Sequence, residues 1–182
     1  MRKRDLLALE FDKVLHLLAG CTLSSAGHEA CLTLSPQTSA ALVETESERT
    51  WQFFRLLEEQ LTMPIREFPD IRPALEWAAH LGAVLEGQKL LQILDTIALS
   101  RALATFFRRQ ASNYDQLRHF PDLLLTFPEL EDILRRCLDE TGLLKDEASP
   151  ELRSLRRRVR ALGEEIEQRL HNTLRSSQAK DV

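Results

Sequence analysis

Residues 149–170 read SPELRSLRRRVRALGEEIEQRL, and this stretch predicts the longest helix of the chain. The hydroxyl of Ser149 can cap the first turn, Pro150 suits the first helical position, and the acid Glu151 suits the positive end of the helix dipole. Apolar residues then recur at alternating spacings of three and four, the pattern of a coiled-coil seam. The seam consists of Leu152, Leu155, Val159, Leu162 and Ile166.

Leu170 and Leu174 continue this apolar pattern after one slip in its spacing. A helix from Pro150 to about Ser177 would be roughly 40 Å long at about 1.5 Å per residue. Nothing later in the chain can fold back to cover the seam. We therefore expect the helix, which we call the arm (residues 149–182), to pair with another helix, either in a longer polypeptide or in a second chain.

The composition of the whole chain indicates a helical protein. Its 182 residues are 43% hydrophobic, enough to bury a core, and they include only six glycines and one tyrosine. No uninterrupted apolar run reaches the roughly 20 residues of a membrane span, so we predict no membrane helix and a cytoplasmic location. Three cysteines without paired spacing predict neither a disulfide framework nor a zinc site.

Helical periodicity and stop signals divide residues 1–148 into further helices, which we assign to an all-α, multi-helix core domain. The predicted helices cover residues 11–20, 24–34, 39–63, 73–81 and 87–109, then a pair split near Phe127 and Pro128 whose second member covers 129–138. In the third helix the pattern predicts an inner face of Leu42, Val43, Thr50, Phe53, Phe54, Leu57 and Leu61. Residues 139–148 have no helical period and predict a loop or short hairpin at the domain boundary.

The charges are distributed unevenly along the chain. Residues 1–148 carry 16 basic and 23 acidic side chains, whereas residues 149–182 carry 8 basic and 5 acidic ones. Five arginines fall within eight residues of the arm, and we predict that they contact nucleic-acid phosphates. They are Arg153, Arg156, Arg157, Arg158 and Arg160. The alternative is that they only solubilise a coiled coil and pair with the acids at 164, 165 and 167.

Two short motifs come close to catalytic signatures without completing them. Residues 82–89, GAVLEGQK, resemble a phosphate-binding loop, but Gln88 separates Gly87 from the lysine that should follow it directly. Residues 28–32, HEACL, begin like a zinc protease, but Leu32 stands where the second histidine ligand is needed. The sequence therefore predicts no catalytic residue, no metal site and no cofactor in this chain.

Four stretches, in this order, resemble the N-terminus of a known family. They are LEFDKV at 9–14, FPDIRPAL at 68–75, ASPELR at 148–153 and LRSS at 174–177. Together they are similar to the second bacterial branch of the MutS family, the Smr-bearing endonuclease MutS-two. The matching motifs are helices and connectors and include no active-site residue.

The resemblance implies a core or lever region whose long helix rises into a clamp, with the returning strand of coiled coil beyond Val182. It implies that an ATPase domain using ATP and magnesium, and an Smr nuclease, lie downstream in a parent protein that binds branched or duplex DNA and suppresses homologous recombination. A second implied role is the splitting of collided ribosomes. A plain coiled-coil assembly module that self-associates through the arm is the remaining alternative.

Overall fold

The computed structural model describes residues 3–59, 62–110 and 112–178, and this part of the chain is all-α, as predicted. The α-helices within it are α1 Lys3–Ala8, α2 Phe11–Ala19, α3 Ser25–Leu32, α4 Ala40–Glu58, α5 Arg72–Ala78, α6 Gly87–Gln110, α7 Phe120–Leu123, α8 Pro128–Cys137 and α9 Pro150–Gln178. Two 3₁₀ turns, Asp115–Leu117 and Asp146–Ala148, connect α6 to α7 and α8 to α9. The described residues contain no strand, only an isolated antiparallel bridge between Leu138 and Leu144.

Helix α6 is the central element, and its first half builds one of two hydrophobic clusters. Ile93, Leu94 and Ile97 of α6 are buried against Leu134 of α8 and against Leu138, the residue that follows α8. Partly buried side chains around them include Ile71, the residue before α5, Ala74 of α5, and Leu85 of the connection between α5 and α6. This cluster fixes α8, and with it the loop that leads to α9.

The second half of α6 builds the other cluster. Its Phe107 is buried with Leu56 of α4 and with Tyr114 and Leu117 of the following connection. The ring of Phe53 meets the ring of Phe107 edge to face, with 5.9 Å between the ring centroids. Such edge-to-face pairs add to the stabilisation that burial provides. The C-terminal end of α4 is therefore the part of that helix that packs into the core.

By length and composition alone, α6 could cross a membrane, because its 24 residues contain an apolar window of sufficient length. The apolar residues of α6 are interrupted by Asp95 and Arg101, so they do not form an uninterrupted apolar run of the kind on which the prediction rested. The central helix of a packed helical core has the same properties. Six of its residues are buried in the two clusters or beside them, so we interpret α6 as a core helix.

The predicted third helix is wrong in its end and in most of its inner face. Helix α4 ends at Glu58 rather than near residue 63, and Leu61 lies outside the described residues. Of the residues predicted to face inward, Phe53 is half-buried, and the other described ones are exposed: Leu42, Val43, Thr50, Phe54 and Leu57. The reason is that only the last turns of α4 reach the second cluster, where Leu56 is the fully buried residue.

Other boundaries differ less from the prediction. Helix α1 was not predicted, because its six residues are too few to show a period. Helix α5 ends at Ala78 instead of 80 or 81. The first member of the predicted pair is not one helix but the 3₁₀ turn Asp115–Leu117 followed by the one-turn helix α7. The remaining helices begin and end within about two residues of their predicted limits.

Ionic contacts tie the N-terminal helices to the entry of α5. Helices α2 and α3 pack on each other, and the guanidinium of Arg72 donates to both carboxylate oxygens of Glu29 in α3, at 2.9 and 3.0 Å. Arg72 also binds Asp70, and these hydrogen bonds lower the pKa of Asp70 to about 2. The segment around residues 68–75 therefore holds the N-terminal helices to the core.

Residues 139–148, at the predicted domain boundary, form a tight loop rather than a hairpin with strands. The carboxylate of Asp139 accepts hydrogen bonds from the backbone N–H groups of Thr141 and Leu143, at 2.8 and 2.9 Å. Gly142 has a φ of +79°, a conformation that favours glycine. Its carbonyl lies so close to Gly87 that a Cβ on Gly87 would be 1.8 Å from it. A glycine at the start of α6 is thus needed for close packing.

One acidic side chain is buried in the core. Glu131 of α8 is 4% exposed, and its carboxylate accepts hydrogen bonds from Arg101 of α6 at 2.8 Å and from Arg135 at 2.9 Å. The hydrogen bond from Arg101 contributes most to lowering the pKa of Glu131. This paired carboxylate joins α6 to α8 beside the first cluster.

We predict that truncating two adjacent leucines of α4 has very different effects on stability. Leu56→Ala should lower the free energy of unfolding by roughly 2–5 kcal/mol, because Leu56 is 0% exposed and its removal leaves a cavity. Leu57→Ala is the matched control, since Leu57 is 58% exposed and its truncation should change stability by roughly 0.5 kcal/mol or less. Urea unfolding followed by circular dichroism measures both. Equal effects would contradict the placement of α4.

We also predict that Glu131→Gln lowers stability near neutral pH by roughly 1–3 kcal/mol, because it weakens two charge-assisted hydrogen bonds at a buried position. Since the folded pKa is lowered, this stabilisation is present above the ordinary glutamate pKa and is lost as the pH falls through the folded value. The stabilities of the wild type and the variant should therefore converge in acid. Glu129→Gln, at an exposed site on the same helix, is the control and should show no such convergence.

Candidate nucleic-acid interface

The helix predicted from residues 149–170 forms with the predicted cap. The backbone N–H of Leu152 donates to the hydroxyl oxygen of Ser149 at 3.0 Å, and Pro150 is the first helical residue. The helix α9 continues to Gln178, within a residue of its predicted end, and its 29 residues correspond to roughly 44 Å. The last residues assigned to the arm, 179–182, lie outside the described part of the chain.

Helix α9 leaves the core after its first turns. Its main contact with the rest of the chain is the 3₁₀ turn Asp146–Ala148, which in turn packs on α8. All side chains from Arg157 to Arg175 are exposed. Most of α9 therefore projects from the core, with its base at the Asp146–Ala148 turn.

The predicted seam lies uncovered along this projecting helix. Leu152, at the base, is half-buried, whereas Leu155, Val159, Leu162 and Ile166 are 50–69% exposed. Leu170 and Leu174, further along, are exposed to a similar extent. An apolar face of this length on a single helix is what a second helix would cover in a coiled coil.

The structure divides the five predicted arginines into two groups, and three of them face acids at the base of α9. One guanidinium nitrogen of Arg156 donates to Asp146 at 2.6 Å and to the carbonyl oxygen of Leu144 at 2.9 Å. Arg160 donates to the other carboxylate oxygen of Asp146. Arg153 lies 3.8 Å from the carboxylate of Glu147. We call these three arginines the braced group.

Asp146 is the centre of this arrangement. It accepts hydrogen bonds from Arg156 and Arg160, which lower the pKa of its carboxyl group. Its charge therefore persists throughout the neutral range, so the contact is not sensitive to pH there. The sequence reasoning missed Asp146 because it lies ten residues before Arg156, on a turn whose geometry was not predictable. The acids expected to pair with the arginines, at 164, 165 and 167, are not their partners.

Arg157 and Arg158 form the second group. Neither makes a hydrogen bond or an ion pair with any residue that the structure describes. At about 100° per residue, Arg157 lies on the side of α9 opposite the seam, and Arg158 lies on the flank away from the braced group. A partner helix on the seam would thus leave Arg157 accessible. These two are the arginines that can bind phosphate without breaking an internal ion pair.

The two near-miss motifs have structural roles. Gly87 begins α6 against the backbone of Gly142, and the segment between α5 and α6 contains no strand of the kind that precedes a phosphate-binding loop. Glu29 binds Arg72. Among the described residues, no three histidine, cysteine or carboxylate side chains lie close enough together to hold a metal ion. The prediction that this chain has no catalytic residue remains a prediction.

A helical core with a projecting basic helix and an uncovered apolar seam defines the chain as a helical module with an interaction arm. No family model matches it. It is 37% identical to the endonuclease MutS2 of Aquifex aeolicus over 96% of the chain, and 35% identical to that of Symbiobacterium thermophilum over 99%. The MutS2 endonuclease of Geobacillus kaustophilus is 34% identical over 99% of the chain.

These similarities extend over nearly the whole chain, and the chain belongs to the MutS2 family. It spans only 22–23% of the length of the three relatives. The match is consistent with their N-terminal region, so the resemblance found in the four sequence motifs is confirmed.

Gly163 lies in the middle of α9 next to the seam, and its replacement tests whether this part of α9 is free of contacts with the core. Among the described residues, no atom beyond the adjacent residues and the nearby backbone of α9 lies within 4 Å of the position that a Cβ on Gly163 would occupy. Gly163→Ala should stabilise the helix by roughly 0.5–1 kcal/mol, since glycine costs that much in a helix interior. Hydrogen exchange of the neighbouring amides should slow roughly two- to fivefold. Ala161→Gly is the reciprocal control; faster exchange in Gly163→Ala would contradict an unobstructed α9.

Proposed function

We propose that this chain is the non-catalytic helical lever and the arm of a MutS2-type DNA-binding ATPase and endonuclease. In this proposal the core domain, residues 1–148, transmits movement between an ATPase elsewhere in the parent protein and the arm, residues 149–182, which forms part of a clamp on DNA. The observation that carries the proposal is the length of exposed apolar seam on α9. On a single helix this face stays exposed to water, whereas in a two-stranded clamp the second helix buries it.

A continuous series of packed elements between core and arm supports the lever role. Helix α8 is held to α6 by the first cluster and by Glu131, and the Asp146–Ala148 turn packs on both α8 and α9. A rigid displacement of α6 would therefore be passed to the base of α9 through α8. If α9 rotates about its base, its tip, roughly 40 Å away, moves further than the base, and the displacement grows with that distance.

The distribution of charge supports a DNA contact at the arm rather than at the core. Residues 1–148 carry a net charge of −7 (16 basic, 23 acidic), and residues 149–182 carry +3 (8 basic, 5 acidic). Because an acidic surface repels phosphate, the attraction is confined to the arm. Arg157 and Arg158 are the proposed phosphate contacts, and the absence of aromatic residues beside them favours backbone contacts over base stacking.

The parent protein, in this proposal, suppresses homologous recombination and acts in the cytoplasm on branched or duplex DNA. ATP and magnesium would belong to its ATPase part and not to the residues of this chain. Ribosomes are the competing polyanion, since the same arginines would meet ribosomal RNA through its phosphates. Self-association through the seam is the third possibility.

Charge reversal of the unpaired arginines tests the DNA contact. Arg157→Glu with Arg158→Glu should weaken binding of the chain to a fluorescent DNA duplex at least tenfold, because two phosphate contacts are replaced by repulsion. The plot of log K against log salt should become shallower by about 1.8, at about 0.9 per contact. Arg108→Glu with Arg109→Glu, an adjacent exposed pair at the end of α6, imposes the same charge change away from the arm. This control should bind like the wild type.

The same variants distinguish the alternatives. Unchanged duplex and branched-DNA binding in the arm variant would contradict the arginine contact. Loss of co-sedimentation with ribosomes, but not of DNA binding, would favour the ribosomal role. Concentration-dependent dimers in sedimentation equilibrium that are abolished by Leu162→Asp would instead favour assembly through the seam.

A further inference from the structure

The two guanidiniums that Asp146 holds are not held equally. Arg156 donates to both Asp146 and the carbonyl of Leu144, and it is half-buried. Arg160 is exposed, and Asp146 is its acceptor among the described residues. Losing the carboxylate would therefore leave Arg156 with one acceptor and Arg160 with none. Arg160 is the exchangeable member of the pair.

Arg160 also lies beside an unpaired arginine. Arg157 precedes it by three residues, and side chains at this spacing are neighbours on a helix surface. A phosphate bound by Arg157 would lie within reach of Arg160. The guanidinium of arginine can donate two parallel N–H···O bonds to either a carboxylate or a phosphate, so the phosphate and Asp146 would compete for one guanidinium.

We propose that Asp146 is an electrostatic latch that sets the orientation of α9 and is opened by the polyanion itself. In the latched state, Asp146 holds Arg156 and Arg160 against the turn at the base of the arm. When phosphate binds Arg157 and captures Arg160, the braced group holds the turn only through Arg153 and Arg156, and the arm gains angular freedom. Binding of the polyanion to the arm is thereby coupled to the orientation of the arm. This inference rests on the proposed contact with nucleic acid.

The latch predicts that Asp146→Asn, in the full chain, increases affinity for a short DNA duplex severalfold. The reason is that phosphate no longer competes with the carboxylate for Arg160. The salt dependence of log K should stay nearly the same, because Arg160 contacts phosphate in the bound state of both chains. Glu151→Gln is the matched control: it also removes one negative charge near the base of α9, from an exposed residue at the start of the helix. This variant should change the affinity little.

A second measurement follows the arm directly. Spin labels at Glu129→Cys on α8 and Gln168→Cys on α9, with the three native cysteines replaced by serine, report the distance between core and arm by pulsed electron paramagnetic resonance. The distance distribution should be narrow in the otherwise wild-type chain and broader in Asp146→Asn. It should also broaden in the wild type when saturating duplex is added, but not when Glu151→Gln alone is introduced.

The outcomes separate the latch from the proposed function. A distribution in Asp146→Asn as narrow as in the wild type would overturn the latch. So would DNA binding that depends on Arg157 and Arg158 but keeps its wild-type affinity in Asp146→Asn; the proposed DNA contact would then stand. A wild-type chain that binds no duplex would contradict the proposed contact and the competition together, whereas the Asp146→Asn distribution would still decide whether Asp146 orients the arm.

Discussion

The packing of α6 against α8 is the contact on which the rest of the structure depends. Ile93, Leu94 and Ile97 bury one face of α6 against Leu134 and Leu138. Leu138 also forms a backbone β-bridge with Leu144 across the loop, so a residue buried in this cluster also fixes where that loop returns. Two residues later, Asp146 begins the turn that supports α9. Burial in one cluster therefore determines where the arm starts.

The arm itself draws little stability from burial. Nearly all of α9 is exposed, so its helical state must come from local interactions and from the intrinsic propensity of its sequence. Ser149 caps its start, and Arg169 pairs with Glu165 one turn away at 2.5 Å. Leucine, arginine and glutamate, the residues that dominate α9, are good helix formers. A helix built in this way can persist before its partner arrives and present a preformed seam to it.

The sequence allowed prediction of those elements whose signals are local. The cap at Ser149, the proline after it and the heptad spacing lie within one stretch, and α9 was predicted to within a residue. Helix α4 was predicted poorly, because the face that a helix buries depends on which neighbours reach it. Its apolar residues outnumber those that the core can cover, and Leu56 is buried because the second cluster lies at that end of α4. No periodicity in the sequence contains this information.

The ionic partners of the arginine cluster could not be predicted from the sequence either. Along the sequence, Arg153 to Arg160 form one basic block. In the folded chain, Asp146 and Glu147 lie beside three of its members, because a turn brings acids back against the base of the helix. The interaction of opposite charges falls off with distance in space and not along the chain. Arg157 and Arg158 are therefore the members whose charge stays available, whereas the others give α9 its direction.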